Sequence, residues 1–205
     1  MKILITAGPT REKIDPVRYI TNNSSGKMGY AIAQAACEAG HEVTLISGPV
    51  NLTPPPGAKV INTVSAAEMA LAVHTHSAEA EVLIMAAAVA DYRPAHPFDS
   101  KMKKMPGNLS LELERTEDIL GTLGANKKAG QLLIGFAAET DDLEKNALGK
   151  LERKNLDWIA ANLVSDGFGK DTNRITLYRR DGSKFPLPCG NKLEVARNML
   201  EVILP

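Results

Sequence analysis

Three runs decide the fold: Ile3-Leu4-Ile5-Thr6, then Arg18-Tyr19-Ile20-Thr21-Asn22-Asn23-Ser24-Ser25-Gly26-Lys27-Met28-Gly29, then Glu42-Val43-Thr44-Leu45-Ile46. The first is a short apolar run that meets a Gly8-Pro9 turn signal, as expected of a strand buried on both faces of a parallel sheet. Ala31, Ile32, Ala35 and Ala39 recur at helical spacing, and Gly40 supplies a stop, which predicts a helix over residues 27–39. The third run is a second strand. The unit is therefore strand, helix, strand, with Ser24-Ser25-Gly26 at the helix N-terminus, where unpaired N–H groups point outward. Its join is unusual. The chain between the first strand and the helix is far longer than the roughly two to six residues of an ordinary βα loop. It carries Gly8-Pro9-Thr10, the charged run Arg11-Glu12-Lys13 and Asp15-Pro16. A long loop of this kind at a strand end points to function.

The alternation continues outward from that unit. Val60-Ile61-Asn62 reads as a third strand after a stiff Pro54-Pro55-Pro56 loop. Ser65 and Glu68 make a capping-box pair for a helix whose apolar side draws on Met69, Leu71 and Val73. His74 and His76 near its end are two apart and share no helix face, so they read as surface residues in preference to a metal pair. The run from Glu81 begins as a central strand and ends in the small residues Ala86-Ala87-Ala88-Val89-Ala90, which let a ligand approach the backbone. Asp91-Tyr92-Arg93-Pro94 follows, then a polar, proline-broken segment with Lys101-Met102-Lys103-Lys104; residues 92–107 suit a mobile flap. Leu109, Leu111 and Leu113 alternate as in a strand with one wet face.

Residues 116–120 start another helix, with Thr116 or the following acids near the cap. The run from Gln131 to Thr140 is again a buried strand that ends in small and then polar residues. A helix over residues 142–155 bears Lys145, Lys150, Arg153 and Lys154, and Trp158-Ile159-Ala160-Ala161-Asn162 is a last core strand. Within residues 172–188, Asp181-Gly182 marks a hairpin, and an amphipathic helix over 193–200 closes the chain. The fold class that follows is α/β: a three-layer, Rossmann-like, doubly wound and mostly parallel sheet with a C-terminal β-hairpin, in one domain over residues 1–205.

Composition narrows the function classes. Twenty-four basic and twenty-four acidic side chains cancel, which argues against a nucleic-acid binder held by bulk positive charge. The hydrophobic fraction of 44% and charged fraction of 23% fit a globular chain and no membrane partner. The opening apolar run is too short for a signal peptide, so the cytoplasm is the expected compartment. Cys37 and Cys189 form no metal-ligand or disulfide pattern.

Ligands of a doubly wound sheet bind beyond the carboxyl ends of its strands, and three loops fall there: residues 8–29, 86–107 and 136–140. The first offers glycines, a helix N-terminus, Arg18 and Asn22 for a phosphate or carboxylate. It is neither a dinucleotide fingerprint nor a P-loop. Lys101, with its neighbouring cations, is what a transferring phosphoryl or nucleotidyl group needs, or else a solvated charge run. Lys150 and Lys154 lie four apart and repel each other, which suits a polyanion between them or a plain wet face.

Taken together, Gly8-Pro9-Thr10-Arg11-Glu12, Asp15-Pro16-Val17-Arg18-Tyr19-Ile20-Thr21-Asn22, Ser24-Ser25-Gly26-Lys27-Met28-Gly29, Ala87-Ala88-Val89-Ala90-Asp91-Tyr92, the Lys-x-Lys-Lys run and Gly135-Phe136-Ala137-Ala138-Glu139-Thr140 resemble the phosphopantothenoylcysteine synthetase family, in its bacterial CTP-using form. The resemblance covers nearly the whole chain and implies a stand-alone synthetase or a domain excised from a fusion with a flavin-dependent decarboxylase. It implies ligation of 4'-phosphopantothenate to L-cysteine through an acyl-cytidylate formed from CTP, with Mg2+ and without flavin, in a homodimer.

Residue by residue, the resemblance makes Lys101 the cation on the α-phosphate, Asn22 the group that orients the acyl-cytidylate, and Arg18 its neighbour at the substrate. Met85, Ala86, Ala87 and Asp91 are expected to contact nucleotide or pantothenate. Glu117, Asp118, Ile119, Leu120, Phe136, Lys150 and Lys154 align with nucleotide positions. Gly8, Ser24, Ser25 and Gly26 are expected around phosphate, and no metal ligands are assigned. Where the family commonly has a proline before Asp-Ile, this chain has Glu117, which adds a carboxylate near the nucleotide. ATP in place of CTP is the alternative ligase reading, and a dinucleotide oxidoreductase or a nucleotide sensor the rival class.

Overall fold

A computed structural model describes residues 1–104, 106–167 and 169–205. In chain order the elements are β1 (Lys2–Ala7), β2 (Arg11–Asp15), β3 (Arg18–Thr21), α1 (Lys27–Glu38), β4 (Glu42–Ser47), β5 (Lys59–Asn62) and α2 (Ala66–Ser77). They continue as β6 (Val82–Met85), β7 (Tyr92–Pro94), β8 (Leu113–Arg115), α3 (Ile119–Ala125), β9 (Leu132–Glu139) and α4 (Leu143–Arg153). The last part holds β10 (Trp158–Leu163), α5 (Val164–Gly167), β11 (Thr172–Asn173), β12 (Thr176–Arg179), β13 (Lys184–Pro186), β14 (Gly190–Asn191) and α6 (Lys192–Ile203).

Eight strands form the central sheet in the order β13-β12-β10-β9-β6-β1-β4-β5. The strands from β10 to β5 are parallel, and β12 and β13 add antiparallel pairs at one edge. The buried runs alternate between the two faces because strand side chains do. Ile3, Ile5 and Ala7 join Ile32, Ala36, Val195 and Met199 on the side of α1 and α6. Leu4, Leu83, Leu133 and Ile159 pack with Met69, Ile119 and Leu151 from α2, α3 and α4 on the other. The result is the three-layer doubly wound fold. Its order reverses direction between β1 and β6, so a crevice opens where their carboxyl ends part.

The structure revises four expectations. The long join is not an open loop: β2 and β3 pair as an antiparallel hairpin with an irregularity between Lys13 and Asp15. Its charged composition has low strand propensity, but Glu12 and Asp15, three apart across the irregularity, turn inward, and Glu12 accepts the Ala66 amide at 2.9 Å to cap α2. Leu71 is 70% exposed; α2 buries Met69, Ala70 and Val73, since a residue two places from Met69 lies on the opposite side of the helix. The alternating leucines do not make one strand. Only Leu113–Arg115 pairs, with Tyr92–Pro94, and Leu109 stays 63% exposed. The flap thus begins in a small two-stranded sheet whose second strand follows it at residues 113–115, and its Met105 lies outside the described residues.

The late hairpin is the fourth. From sequence its strands have no obvious place in the main sheet, which fits a dimer. Instead β12 pairs β10 from Trp158↔Arg179 to Ala161↔Thr176, and β13 extends the edge, with Ile175, Leu177 and Tyr178 buried. The hairpin satisfies itself within the chain and gives no argument about assembly.

Candidate functional site

The crevice at the reversal holds two cavities that share a wall. The first, about 400 Å³, is lined by residues 22–29, residues 86–89, Asp91, Phe136, Ala138, Lys150 and a group from the C-terminal third. The second, about 280 Å³, is lined by Met85, Ala87, Val89, residues 117–120, Phe136, Lys150, Arg153 and Lys154. Ala87, Val89, Asp91, Phe136 and Lys150 belong to both.

Local hydrogen bonds explain how the shared wall is built. Beyond β6 the small residues leave the ladder, and two threonines catch the backbone. Thr6 Oγ1 accepts the Ala87 amide at 3.2 Å and Thr10 Oγ1 accepts the Ala90 amide at 3.0 Å. The Ala88 amide donates to Gly8 O at 2.9 Å, and the Asn22 side-chain amide donates to Ala88 O at 3.0 Å. Asn22 is therefore fixed on the wall of the first cavity, next to the Ala87–Val89 stretch that both cavities touch. Thr116 Oγ1 donates to Ala90 O at 2.5 Å, so the turn without the family's proline is held by a hydroxyl.

The helix end is shaped by glycines. Gly26 has φ of 75°, and a Cβ there would lie 2.7 Å from Val50 Cγ1. Gly29 lets α1 sit on β1, since its Cβ would lie 2.5 Å from Ala7 Cβ. Gly8, expected at phosphate, does not line the cavity; it turns the end of β1 beneath Gly26.

Lys150, Arg153 and Lys154 line the second cavity, while Lys27, Lys150 and Lys192 line the first. Lys150 Nζ donates to Phe136 O at 2.7 Å. Burial pushes its ammonium below the ordinary lysine range, against the pull of Glu139 and Asp91 and with Arg153 adding to the fall. Lys154 pairs with Asp118, whose carboxylate also accepts the Gly121 amide at 3.0 Å to cap α3. Glu117 binds His74 Nε2 at 2.7 Å, so the extra carboxylate is already engaged. Among the described residues no group of three His, Cys, Asp or Glu side chains could hold a metal ion. Among the same residues, no helix is long and apolar enough to cross a membrane.

Most residues expected at the site are brought together here: Asn22, Ser24, Ser25, Gly26, Met85, Ala86, Ala87, Asp91, residues 117–120, Phe136, Lys150 and Lys154. Arg18 and Lys101 line neither cavity. Arg18 binds Asp15 at 3.0 Å on the hairpin, and Lys101 is exposed on the flap.

Sequence reasoning missed the wall from the C-terminal third: Asn162, Gly167, Asn173 and Lys192. Lys192 is 7% exposed, and its ammonium donates to Gly167 O at 2.9 Å and to Lys170 O. Burial and the nearby Lys27 lower its pKa, with Asp171 opposing. Asn162 was findable, because it follows small residues at the end of β10 as the earlier strand ends do. Lys192 carried no local signal.

The family model of the DNA/pantothenate metabolism flavoprotein C-terminal domain matches residues 1–205. The chain belongs to this family. A coenzyme A biosynthesis bifunctional protein CoaBC from Bacillus subtilis (strain 168) is 53% identical over 205 residues, which cover 98% of this chain and 50% of that protein. The chain spans about half the length of the curated relatives it matches. A crystal structure of the C-terminal domain of a CoaBC protein shares 50% identity at a TM-score of 0.85, covering 98% of this chain and 93% of that one. The DNA/pantothenate metabolism flavoprotein from Streptococcus pneumoniae superposes with the same TM-score at 26% identity, over 99% and 98% of the two chains. This member of the family carries its two cavities at the switch point of a doubly wound sheet.

Proposed function

We propose that this chain is a phosphopantothenate–cysteine ligase of coenzyme A biosynthesis, using CTP, and that it works in the cytoplasm as a homodimer. The observation that carries the reading is the pair of joined cavities. One is walled by a glycine-shaped helix N-terminus and suits a phosphorylated acid; the other is walled by Lys150, Arg153 and Lys154 and suits a nucleoside triphosphate. The names of the relatives support the pathway, and family membership supports the reaction class.

A carboxylate is a poor electrophile and must first become a mixed anhydride. The carboxylate of 4'-phosphopantothenate attacks the α-phosphate of CTP; the bond to the β-phosphate breaks, and pyrophosphate leaves. The amine of L-cysteine then attacks the acyl carbon, gives up its proton, and CMP leaves with the former carboxylate oxygen. Asn22, held on Ala88 O in the first cavity beside the shared wall, orients the acyl-cytidylate. Lys101, brought in by the flap, neutralises charge that grows on the α-phosphate, and the closed flap keeps water from the anhydride. Arg18 acts beside the flap. Mg2+ fits as an ion carried by the triphosphate, because the protein side supplies the single carboxylate of Asp91 at the shared wall. It would neutralise phosphate charge, and the chain's own residues do the positioning.

The test is pyrophosphate release dependent on 4'-phosphopantothenate, measured with CTP and ATP in parallel. CTP-specific release is the expected result. Release with ATP alone would change the nucleotide, and no release with either would remove the ligase reading.

A further inference from the structure

Asp15 is 2% exposed, yet its turn explains only half of its bonds. Oδ1 accepts the amides of Val17 at 2.8 Å and Arg18 at 2.9 Å, which closes the β2–β3 turn. Oδ2 does something else. It accepts Arg18 Nη1 at 3.0 Å and, from far along the chain, the Met102 amide at 3.2 Å. Arg18 completes the grip, with Nη2 and Nη1 reaching Met102 O at 3.4 and 3.5 Å. One flap residue is thus held by both its donor and its acceptor. A second anchor lies four residues earlier, where the Phe98 amide donates to Ile14 O at 2.8 Å. Lys101 sits between these anchors, directly before the grip, and is itself exposed.

We propose that Asp15 and Arg18 form a clamp that seats the flap and, through Met102, sets where Lys101 stands. The inference rests on the role given to Lys101 in the ligase reading. It makes Asp15 a positioning residue and gives Arg18 a task on the flap, away from the cavities. The chemistry favours such a clamp. Burial works against the Asp15 charge, but the amides of Val17, Met102 and Arg18 and the Arg18 guanidinium hold its carboxyl below the usual range. Charge-assisted bonds to both sides of one residue fix direction as well as distance. A flap rooted at two points can still expose its lysine between them, ready to turn toward a nucleotide.

Asp15→Asn is the selective change. Its side-chain oxygen can keep the turn, while its NH2 meets two donors where Oδ2 stood. Amide hydrogen exchange across residues 98–104 of the whole chain should quicken about tenfold, with the β2–β3 strands unchanged. Met102→Pro removes the flap's donor without touching Asp15, and it should reproduce that exchange. In pyrophosphate release, Asp15→Asn should lower kcat about tenfold or more while the KM for CTP moves little. The double variant Asp15→Asn/Lys101→Gln should be no slower than Lys101→Gln alone, because a clamp acts only through the lysine it places. Unchanged flap exchange in Asp15→Asn or Met102→Pro would overturn the clamp, and so would multiplicative losses in the double variant. If the parent releases no pyrophosphate, the ligase reading fails, and exchange still decides whether the clamp seats the flap.

Discussion

Lys150 and Phe136 meet across the floor of the cleft: the lysine Nζ on α4 donates to the Phe136 carbonyl oxygen on β9 at 2.7 Å. The carbonyl fixes the ammonium beneath both cavities, and Glu139 and Asp91 offset part of its burial. A cation with a lowered pKa binds a triphosphate only while protonated. Affinity for CTP should therefore fall as pH rises through a range below that of ordinary lysines. Lys150→Arg should move that fall to higher pH, and Lys150→Met should weaken binding about 10- to 100-fold at neutral pH. The folded, ligand-free chain holds this proton less tightly than the unfolded one. Its contribution to stability thus grows as pH rises from the lowered value toward the ordinary lysine value. Titration calorimetry across pH checks the first, and denaturant midpoints of parent and Lys150→Met across pH check the second.

The sheet was readable because each buried run announces itself. Ile3–Thr6, Val82–Met85 and Leu133–Ile134 are apolar on both faces and end in small residues, so strand type and ligand end were both legible. The β2–β3 hairpin was not. Its inward residues are Glu12 and Asp15, and burying those carboxylates draws on partners far along the chain that no local pattern shows: the Ala66 amide for one and, beyond its own turn, the Met102 amide for the other. Lys192 is hidden for the same reason, since its partners are backbone carbonyls of a loop that no side-chain pattern reveals. Nucleotide positions such as Phe136 and Lys150 came from the family resemblance, because spacing alone left a wet helix face equally open.

Lys192 braces the loop that walls the first cavity, so its loss should cost stability before it costs chemistry. Lys192→Met keeps much of the stem's volume but leaves the Gly167 and Lys170 carbonyls without their shared donor. A cost of about 1–3 kcal/mol is expected, together with a higher KM for 4'-phosphopantothenate than for CTP. Chemical unfolding and substrate titration check both. An unchanged unfolding midpoint would remove the bracing role.

Asn22 donates to Ala88 O, and Asn22→Asp replaces that donor with a negative charge against a carbonyl and beside the acyl group. Pyrophosphate release should survive, because no step in forming the anhydride needs the amide. Cysteine attack should slow about 100-fold, a loss typical of one preorganised donor. Radiolabelled CTP should then trap an acyl-cytidylate that the parent does not accumulate. Normal product formation with no trapped intermediate would remove the role given to Asn22.

Gly29 and Gly26 separate packing from conformation at the same helix end. A Cβ at Gly29 would meet Ala7 Cβ at 2.5 Å, Ala7 Cα at 3.0 Å and Thr6 O at 3.1 Å, all on the first strand. Backbone on a central strand cannot yield, so Gly29→Ala should push α1 off β1 at a cost of about 1–3 kcal/mol. At Gly26 the nearest obstacle is a valine methyl, which can rotate, but φ of 75° disfavours any side chain. Gly26→Ala should cost about 1 kcal/mol in stability. Each variant moves the amides that face the first cavity, so each should raise the KM for 4'-phosphopantothenate more than that for CTP. Equal effects on both substrates would mean that the helix end does not hold the phosphorylated acid.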